Sequence, residues 1–208
     1  ESRAHKMSKS RGNVVNPDDI VEAYGADSMR LYEMFMGPLE QTKPWNTRGV
    51  DGVHRFLNRA WRLLLDEEAG TPKTVQGAPE REHLRALHGL IQKVTDDIEG
   101  LRFNTAIAAM MEFVNTANKW EHVPHEVAET FVLLLAPFAP HIAEELWQRL
   151  GHDASLAYEP WPEHDPEHLK VDTVTIAVQV NGKMRASIDV APDAPKDEVL
   201  EQAKAQDN

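Results

Sequence analysis

Cysteine is absent from all 208 residues, which excludes disulfide frameworks and thiolate metal sites and permits a reducing compartment. Long apolar runs are missing too. No stretch approaches the roughly 20 apolar residues that span a bilayer. The first residues, Glu1-Ser2-Arg3-Ala4-His5-Lys6, carry charges with no apolar run behind them, so they do not form a signal peptide. Low-complexity tracts and internal repeats are also lacking. What is present is a hydrophobic fraction of 41%, enough to bury a core in one or two domains. A soluble, monomeric, cytoplasmic protein is the expectation.

Positive charge is scarce overall, with a net charge of −12, which argues at first against a nucleic-acid partner. Its distribution changes that reading. Residues 1–62 hold ten Lys/Arg and eight Asp/Glu, whereas residues 63–208 hold twelve against twenty-six. Any phosphate-binding surface is therefore expected to be local and concentrated toward the first third. The bulk acidity weakens non-specific binding and sharpens its salt dependence.

The chain opens with a polar loop, Lys6-Met7-Ser8-Lys9-Ser10-Arg11-Gly12-Asn13. Asn16 then reads as an N-cap, with Pro17 at the first helical position and Asp18 and Asp19 against the positive helix end. This helix stops at Gly25. Asp27 is expected to cap a second one, which ends at Gly37-Pro38, and Asn46 to cap the next. Four longer stripes follow at three- and four-residue steps. They run from Val50 to Leu65, from Leu84 to Leu101, from Ile107 to Trp120 with Asn104 or Thr105 as cap, and from Val127 to Leu150 with a break at Pro137 and Pro140. Short links favour an antiparallel bundle. After a Pro-, His- and acid-rich connection over the surface, the period changes to 2. Val174, Ile176, Val178 and Val180 alternate toward an Asn181-Gly182 turn, with Ala186, Ile188 and Val190 returning. Pro195 to Ala205 is a helix candidate. The expected fold is mainly α, with short helices and an antiparallel bundle followed by a small β-hairpin/α domain. A lone hairpin with one helix is marginally stable, so this last domain is expected to be truncated.

Two ammonium groups three residues apart, interleaved with two hydroxyls and followed by a glycine, make a flexible cationic loop. Such a loop can fold around a polyphosphate. Taken alone, such a pentapeptide is better read as a solvated basic segment; its context decides. Lys6-Met7-Ser8-Lys9-Ser10 resembles the second ATP-binding motif of class I aminoacyl-tRNA synthetases. Arg11 to Asp19, then Tyr24 to Arg30, are similar to their stem-contact region. The segment Gly37-Pro38-Leu39-Glu40-Gln41-Thr42-Lys43-Pro44-Trp45 resembles the leucyl members of class Ia rather than the valyl, isoleucyl or methionyl ones. Leu135 to Trp147 is similar to the last helices of the class Ia anticodon-binding bundle. Val178 to Arg185 resembles the first hairpin of the bacterial leucyl C-terminal domain.

The resemblance implies a part of leucine–tRNA ligase, which activates leucine with ATP and Mg²⁺ and esterifies the 3′ end of tRNA(Leu). No tightly bound cofactor is expected in this chain. The implied divisions are 1–45 (loop and stem-contact region), 46–151 (helical bundle), 152–172 (linker) and 173–208 (start of the C-terminal domain). Lys9 is the implied pyrophosphate contact, supported by Lys6. Ser8 and Ser10 fix the loop, the backbone near Met7 lies by the adenine, and Gly12 supplies hinge freedom. Without its partners the loop is expected to be mobile. An H-I-G-H-type motif does not occur here, so the chain alone is expected to be inactive. A standalone tRNA-binding or assembly module and a fragment of another class Ia synthetase are the alternatives.

Other constellations are weaker. His122/His125 and His164/His168 have metal-like spacing but read as surface loop histidines. Asp96, Asp97 and Glu99 read as a solvated helix face. Trp61, Trp120 and Trp147 fall on the apolar stripes, so core packing outranks base stacking. Arg55, Arg59 and Arg62 recur at helical spacing, either as a phosphate-facing edge or as partners of nearby carboxylates. Lys183 and Arg185 either touch the tRNA or solubilise an edge strand.

Overall fold

The computed structural model describes residues 5–170, 174–180, 183–191 and 194–205, so the expected Asn181-Gly182 turn lies outside the described residues. The chain divides into two compact units, residues 1–165 and 166–208. In the first, α1 (Pro17–Tyr24) starts where the sequence places it, with the Asn16 side chain accepting from the Asp18 N–H at 3.3 Å and Pro17 at the first position. Gly25, at φ 85°, ends α1 and directly precedes α2 (Ala26–Phe35). The expectation that Asp27 caps α2 is therefore corrected: it lies inside the helix, and its carboxylate is used elsewhere.

The long helices are α3 (Thr47–Leu64), α4 (Arg81–Glu99), α5 (Phe103–Ala117), α6 (His125–Leu135) and α7 (Pro140–Arg149). Asn46 caps α3 as expected, accepting from the Arg48 N–H at 3.1 Å. The core is built from the predicted stripes: Val50, Val53 and Leu64 of α3, Val94 of α4, Ile107 and Met110 of α5, and Phe131, Leu134 and Leu135 of α6 are almost wholly buried. Ile20 of α1 and Leu31 and Tyr32 of α2 join the same core, so the two short helices pack against the bundle. Trp147 is buried, while Trp61 and Trp120 are half-buried against the core. Burying such side chains contributes roughly 1.5–3 kcal/mol each.

Three expectations fail here for identifiable reasons. Leu101 does not extend the α4 stripe; it takes a left-handed φ of 54° and is 61% exposed, because the chain must reverse between α4 and α5. Neither Asn104 nor Thr105 caps α5. That helix begins at Phe103 without a side-chain cap, and the Thr105 hydroxyl donates instead to the Arg102 carbonyl at 2.9 Å. Asp97 is not on a solvated face. It is 1% exposed, with the Arg102 Nε donating to it at 2.9 Å and the Lys93 ammonium on its other oxygen.

The connection after α7 is tethered rather than free. A short 3-10 turn, Leu156–Tyr158, buries Leu156, the Trp161 indole donates to the Thr95 hydroxyl at 2.9 Å, and the Asp165 N–H donates to His88 Nδ1 at 2.9 Å.

The second unit contains α8 (Pro166–Leu169), β1 (Val174–Val180), β2 (Lys183–Val190) and α9 (Lys196–Lys204). The strands pair antiparallel with Ile176 opposite Ile188, and α9 packs on β2, where Ile188 and Val190 are buried. Val178 faces Ala186 but Gln179 faces Met184, so Arg185 is the extra residue of a bulge. Overall the chain is mainly helical with one small two-stranded sheet among the described residues, and no helix there is long and apolar enough to cross a membrane.

Candidate functional site

Residues 6–13 form one tight structure. Ser8 is extended (φ −155°, ψ 143°), Lys9–Arg11 make a 3-10 turn, and Gly12 closes it at φ 64° and ψ 23°. That left-handed position is where a Cβ is unfavourable, so glycine has a physical reason to be there. The turn is closed by the Arg11 N–H donating to the Ser8 carbonyl at 3.1 Å and the Gly12 N–H to the Lys9 carbonyl at 3.2 Å. The Ser8 and Ser10 hydroxyls share a hydrogen bond of 2.8 Å, which holds the loop's two hydroxyl positions together.

Asn13 binds this loop from its far end. Its Oδ1 accepts from the Ser8 N–H at 2.8 Å, and its Nδ2 donates to the Lys6 carbonyl at 3.3 Å. The two contacts fix the amide orientation, since one needs an acceptor and the other a donor. Lys6, Met7, Lys9, Ser10 and Arg11 are exposed, and among the described residues neither lysine has an ion-pair partner. The result is a shaped turn bearing uncompensated positive charge, suited to a polyphosphate.

The predicted arginines share the outer side of α3, spaced four and three residues apart, and all are exposed. Arg62 donates to Glu67 at 2.8 Å, but both side chains are more than half exposed, so this pairing is weak. Arg59 bonds the Asn115 amide oxygen. Arg55 has no partner among the described residues. Of the two readings kept open, carboxylate pairing accounts for Arg62 alone. Lys183 and Arg185 are exposed in the second unit, Lys183 opposite Val180 at the hairpin end and Arg185 at the bulge.

Sequence reading missed the connection between α2 and the bundle. The Asp27 carboxylate, in a residue only 8% exposed, accepts from the Ile142 N–H at 2.8 Å, the His141 N–H at 3.4 Å and the His141 ring Nδ1 at 2.8 Å. It thus caps the start of α7, across 115 residues of sequence. One turn on, the Arg30 guanidinium donates to the Pro137 carbonyl at 3.1 Å. Two side chains of α2 therefore hold both sides of the Pro137–Pro140 break. The two closely spaced prolines flagged the break, but nothing local pointed to its partners.

His122 and His125 face different partners. His125 meets the Thr74 hydroxyl through Nδ1 at 2.9 Å and Glu129 through Nε2 at 3.3 Å, whereas the His122 ring lies against His83. Glu129 also takes His152. Among the described residues no three His, Asp or Glu side chains are arranged to hold a metal ion.

Elsewhere among the described residues of the first unit, Tyr24, Asp66 and Asp97 have displaced pKa values. A hydrogen bond from Tyr24 to the Asp51 carboxylate, aided by burial and the carboxylate's charge, raises the Tyr24 phenol above its usual value. Backbone N–H groups of Ala69 and Glu68 lower Asp66. For Asp97 burial works upward, but hydrogen bonds from Lys93, Thr105 and Arg102 and the Lys93 charge outweigh it, leaving the carboxyl below its usual value.

Comparison with known proteins gives this geometry a setting. Residues 80–200 match the family described as the anticodon-binding domain of tRNA ligase, and residues 1–43 match the class I tRNA synthetases for I, L, M and V. The chain is 54% identical over 209 aligned residues to a leucine–tRNA ligase of Rhodopirellula baltica, covering 99% of this chain and 22% of that protein. A second leucine–tRNA ligase, from Chlorobium phaeovibrioides, is 53% identical over 201 residues, covering 96% of this chain and 25% of its own length. The fold also matches a leucyl-tRNA synthetase of Agrobacterium radiobacter, solved in a ternary complex with tRNA and LeuAMS. That match has a TM-score of 0.73 and 32% identity and covers 97% of this chain and 27% of that one. The chain thus spans about a quarter of the length of the relatives it matches. With more than half of its residues under one family description, the chain belongs to the anticodon-binding domain family of the tRNA ligases, and the proteins similar to it along nearly all its length are leucine–tRNA ligases.

Proposed function

We propose that this chain supplies the ATP-pyrophosphate loop and the tRNA-binding helical domain of a cytoplasmic leucine–tRNA ligase. In that reaction a leucine carboxylate oxygen attacks the α-phosphorus of ATP, presented with Mg²⁺. The bond from the α-phosphorus to the bridging oxygen breaks, and pyrophosphate leaves with the electron pair. A ribose hydroxyl at the 3′ end of tRNA(Leu) then attacks the leucyl carbonyl and AMP departs. Negative charge grows on the leaving pyrophosphate, so cations placed there lower the barrier. Lys9 makes that contact and Lys6 supports it. The paired Ser8 and Ser10 hydroxyls hold the loop's shape, and the backbone near Met7 lies by the adenine. The isolated chain is inactive in leucylation, because the leucine pocket belongs to other parts of the ligase.

The observation that carries this reading is a turn with two uncompensated ammonium groups, in a chain whose relatives are leucine–tRNA ligases. Residues 1–45 belong with the catalytic domain, 46–151 form the tRNA-facing bundle, 152–172 link onward, and 173–208 begin a C-terminal α+β domain. Arg55, Arg59 and Arg62 form a phosphate-facing edge, and Lys183 and Arg185 touch the tRNA from the hairpin. The test is leucine-dependent ATP–pyrophosphate exchange by the full-length ligase. Lys9→Ala is expected to slow it by about 10²–10³-fold, the scale for losing one group that stabilises developing charge. Leucine binding, followed by calorimetry, is expected to stay near normal. An unchanged exchange rate removes Lys9 from the proposed role.

A further inference from the structure

We infer that Asn13 is a positioning residue for the activation step, acting through the Lys6–Ser10 loop; this rests on the role proposed above for Lys9. Asn13 is the only side chain outside the pentapeptide that hydrogen-bonds it among the described residues, and it does so at two places. Oδ1 takes the Ser8 N–H at 2.8 Å and Nδ2 reaches the Lys6 carbonyl at 3.3 Å, so one amide fixes the backbone on both sides of Met7. Both bonds span Gly12, the residue of the segment with left-handed backbone freedom. The pin and the hinge therefore oppose each other. With the pin made, the loop is confined to one orientation and the lysines it carries are brought toward the leaving group at less entropic cost. With it broken, Gly12 lets the same lysines sample many positions.

The chemistry of the amide matters as well as its reach. An aspartate at this position keeps an acceptor for the Ser8 N–H, but turns a carboxylate oxygen toward the Lys6 carbonyl and puts negative charge beside two lysines meant for phosphate. Alanine removes both bonds without adding charge. Asn13 is exposed and outside the core, so neither change is expected to disturb folding.

The test uses the full-length ligase and four variants, Asn13→Ala, Asn13→Asp, Lys9→Ala and the Asn13→Ala/Lys9→Ala double, in leucine-dependent ATP–pyrophosphate exchange. Asn13→Ala is expected to lower kcat by about tenfold or more, the scale on which misplacing a reacting or stabilising group acts, with KM for leucine unchanged. Asn13→Asp is expected to be at least as slow. If Asn13 acts through Lys9, the two losses are not additive, and Asn13→Ala costs little more once Lys9 is gone. Equal thermal unfolding midpoints for wild type and Asn13→Ala accompany the expected result. A wild-type rate for Asn13→Ala beside a slow Lys9→Ala overturns this inference alone. So does a full, additive loss in the double variant, which assigns the effect elsewhere in the fold. A wild-type rate for Lys9→Ala overturns the role of the loop itself, and the inference with it.

Discussion

At the residue scale, the informative side chains are polar ones that found partners. Asp97 sits on a helix whose neighbouring acids, Asp96 and Glu99, are exposed, yet it is 1% exposed and shared between Lys93 and Arg102. Lys93 lies four residues before it on α4, so that contact was readable from helical spacing; Arg102 beyond the reversal was not. Because the folded carboxyl lies below its usual value of 3.8, the unfolded chain binds the proton more readily. The stabilisation it provides is present above that value and is lost as pH falls through the lowered folded pKa. Asp97→Asn is expected to lower unfolding stability near neutrality by about 1–3 kcal/mol, the scale of hydrogen bonds to charged groups. The variant should also lose less stability than wild type on acidification toward pH 3. Urea unfolding at several pH values checks both; parallel pH profiles would show that Asp97 titrates alike in the two states.

At the scale of elements, starts and stops were legible where the determinants are local. Asn16 and Asn46 cap the helices they precede, and Pro137 and Pro140 break the long apolar stripe between α6 and α7. Reading failed where a side chain serves a distant element. Asp27 looked like a cap of its own helix, and is a cap for α7, which becomes a neighbour only after α2 packs on the bundle. Leu101 matched the periodic stripe but occupies a reversal that its hydrophobicity cannot announce. The same limit applied to the loop. Its two lysines and two serines were evident from composition, whereas Asn13 was invisible as a pin because its role depends on Gly12 folding it back. Asp27→Ala is expected to lower stability by about 2 kcal/mol through the lost cap of α7, with Asp27→Asn, which keeps one acceptor, losing less. Denaturant unfolding checks this: the midpoint shifts with the slope unchanged. Equal midpoints for all three proteins would contradict the capping role.

At the scale of the whole molecule, a net charge of −12 coexists with a surface proposed to meet an RNA. Local cation placement resolves this: the first 62 residues are net positive, and they carry the loop and the α3 arginines. Acidic surroundings repel phosphate, so binding should be confined to those cations and fall steeply with salt. Titrating this chain with leucine tRNA and a non-cognate tRNA across salt concentrations tests whether the helical bundle is the surface proposed to bind leucine tRNA. Preferential binding of leucine tRNA is expected, with a steep salt slope reduced by about one for each of Arg55 and Arg62 changed to alanine. Equal, weak binding of both tRNAs, or a slope untouched by those substitutions, would contradict that proposal.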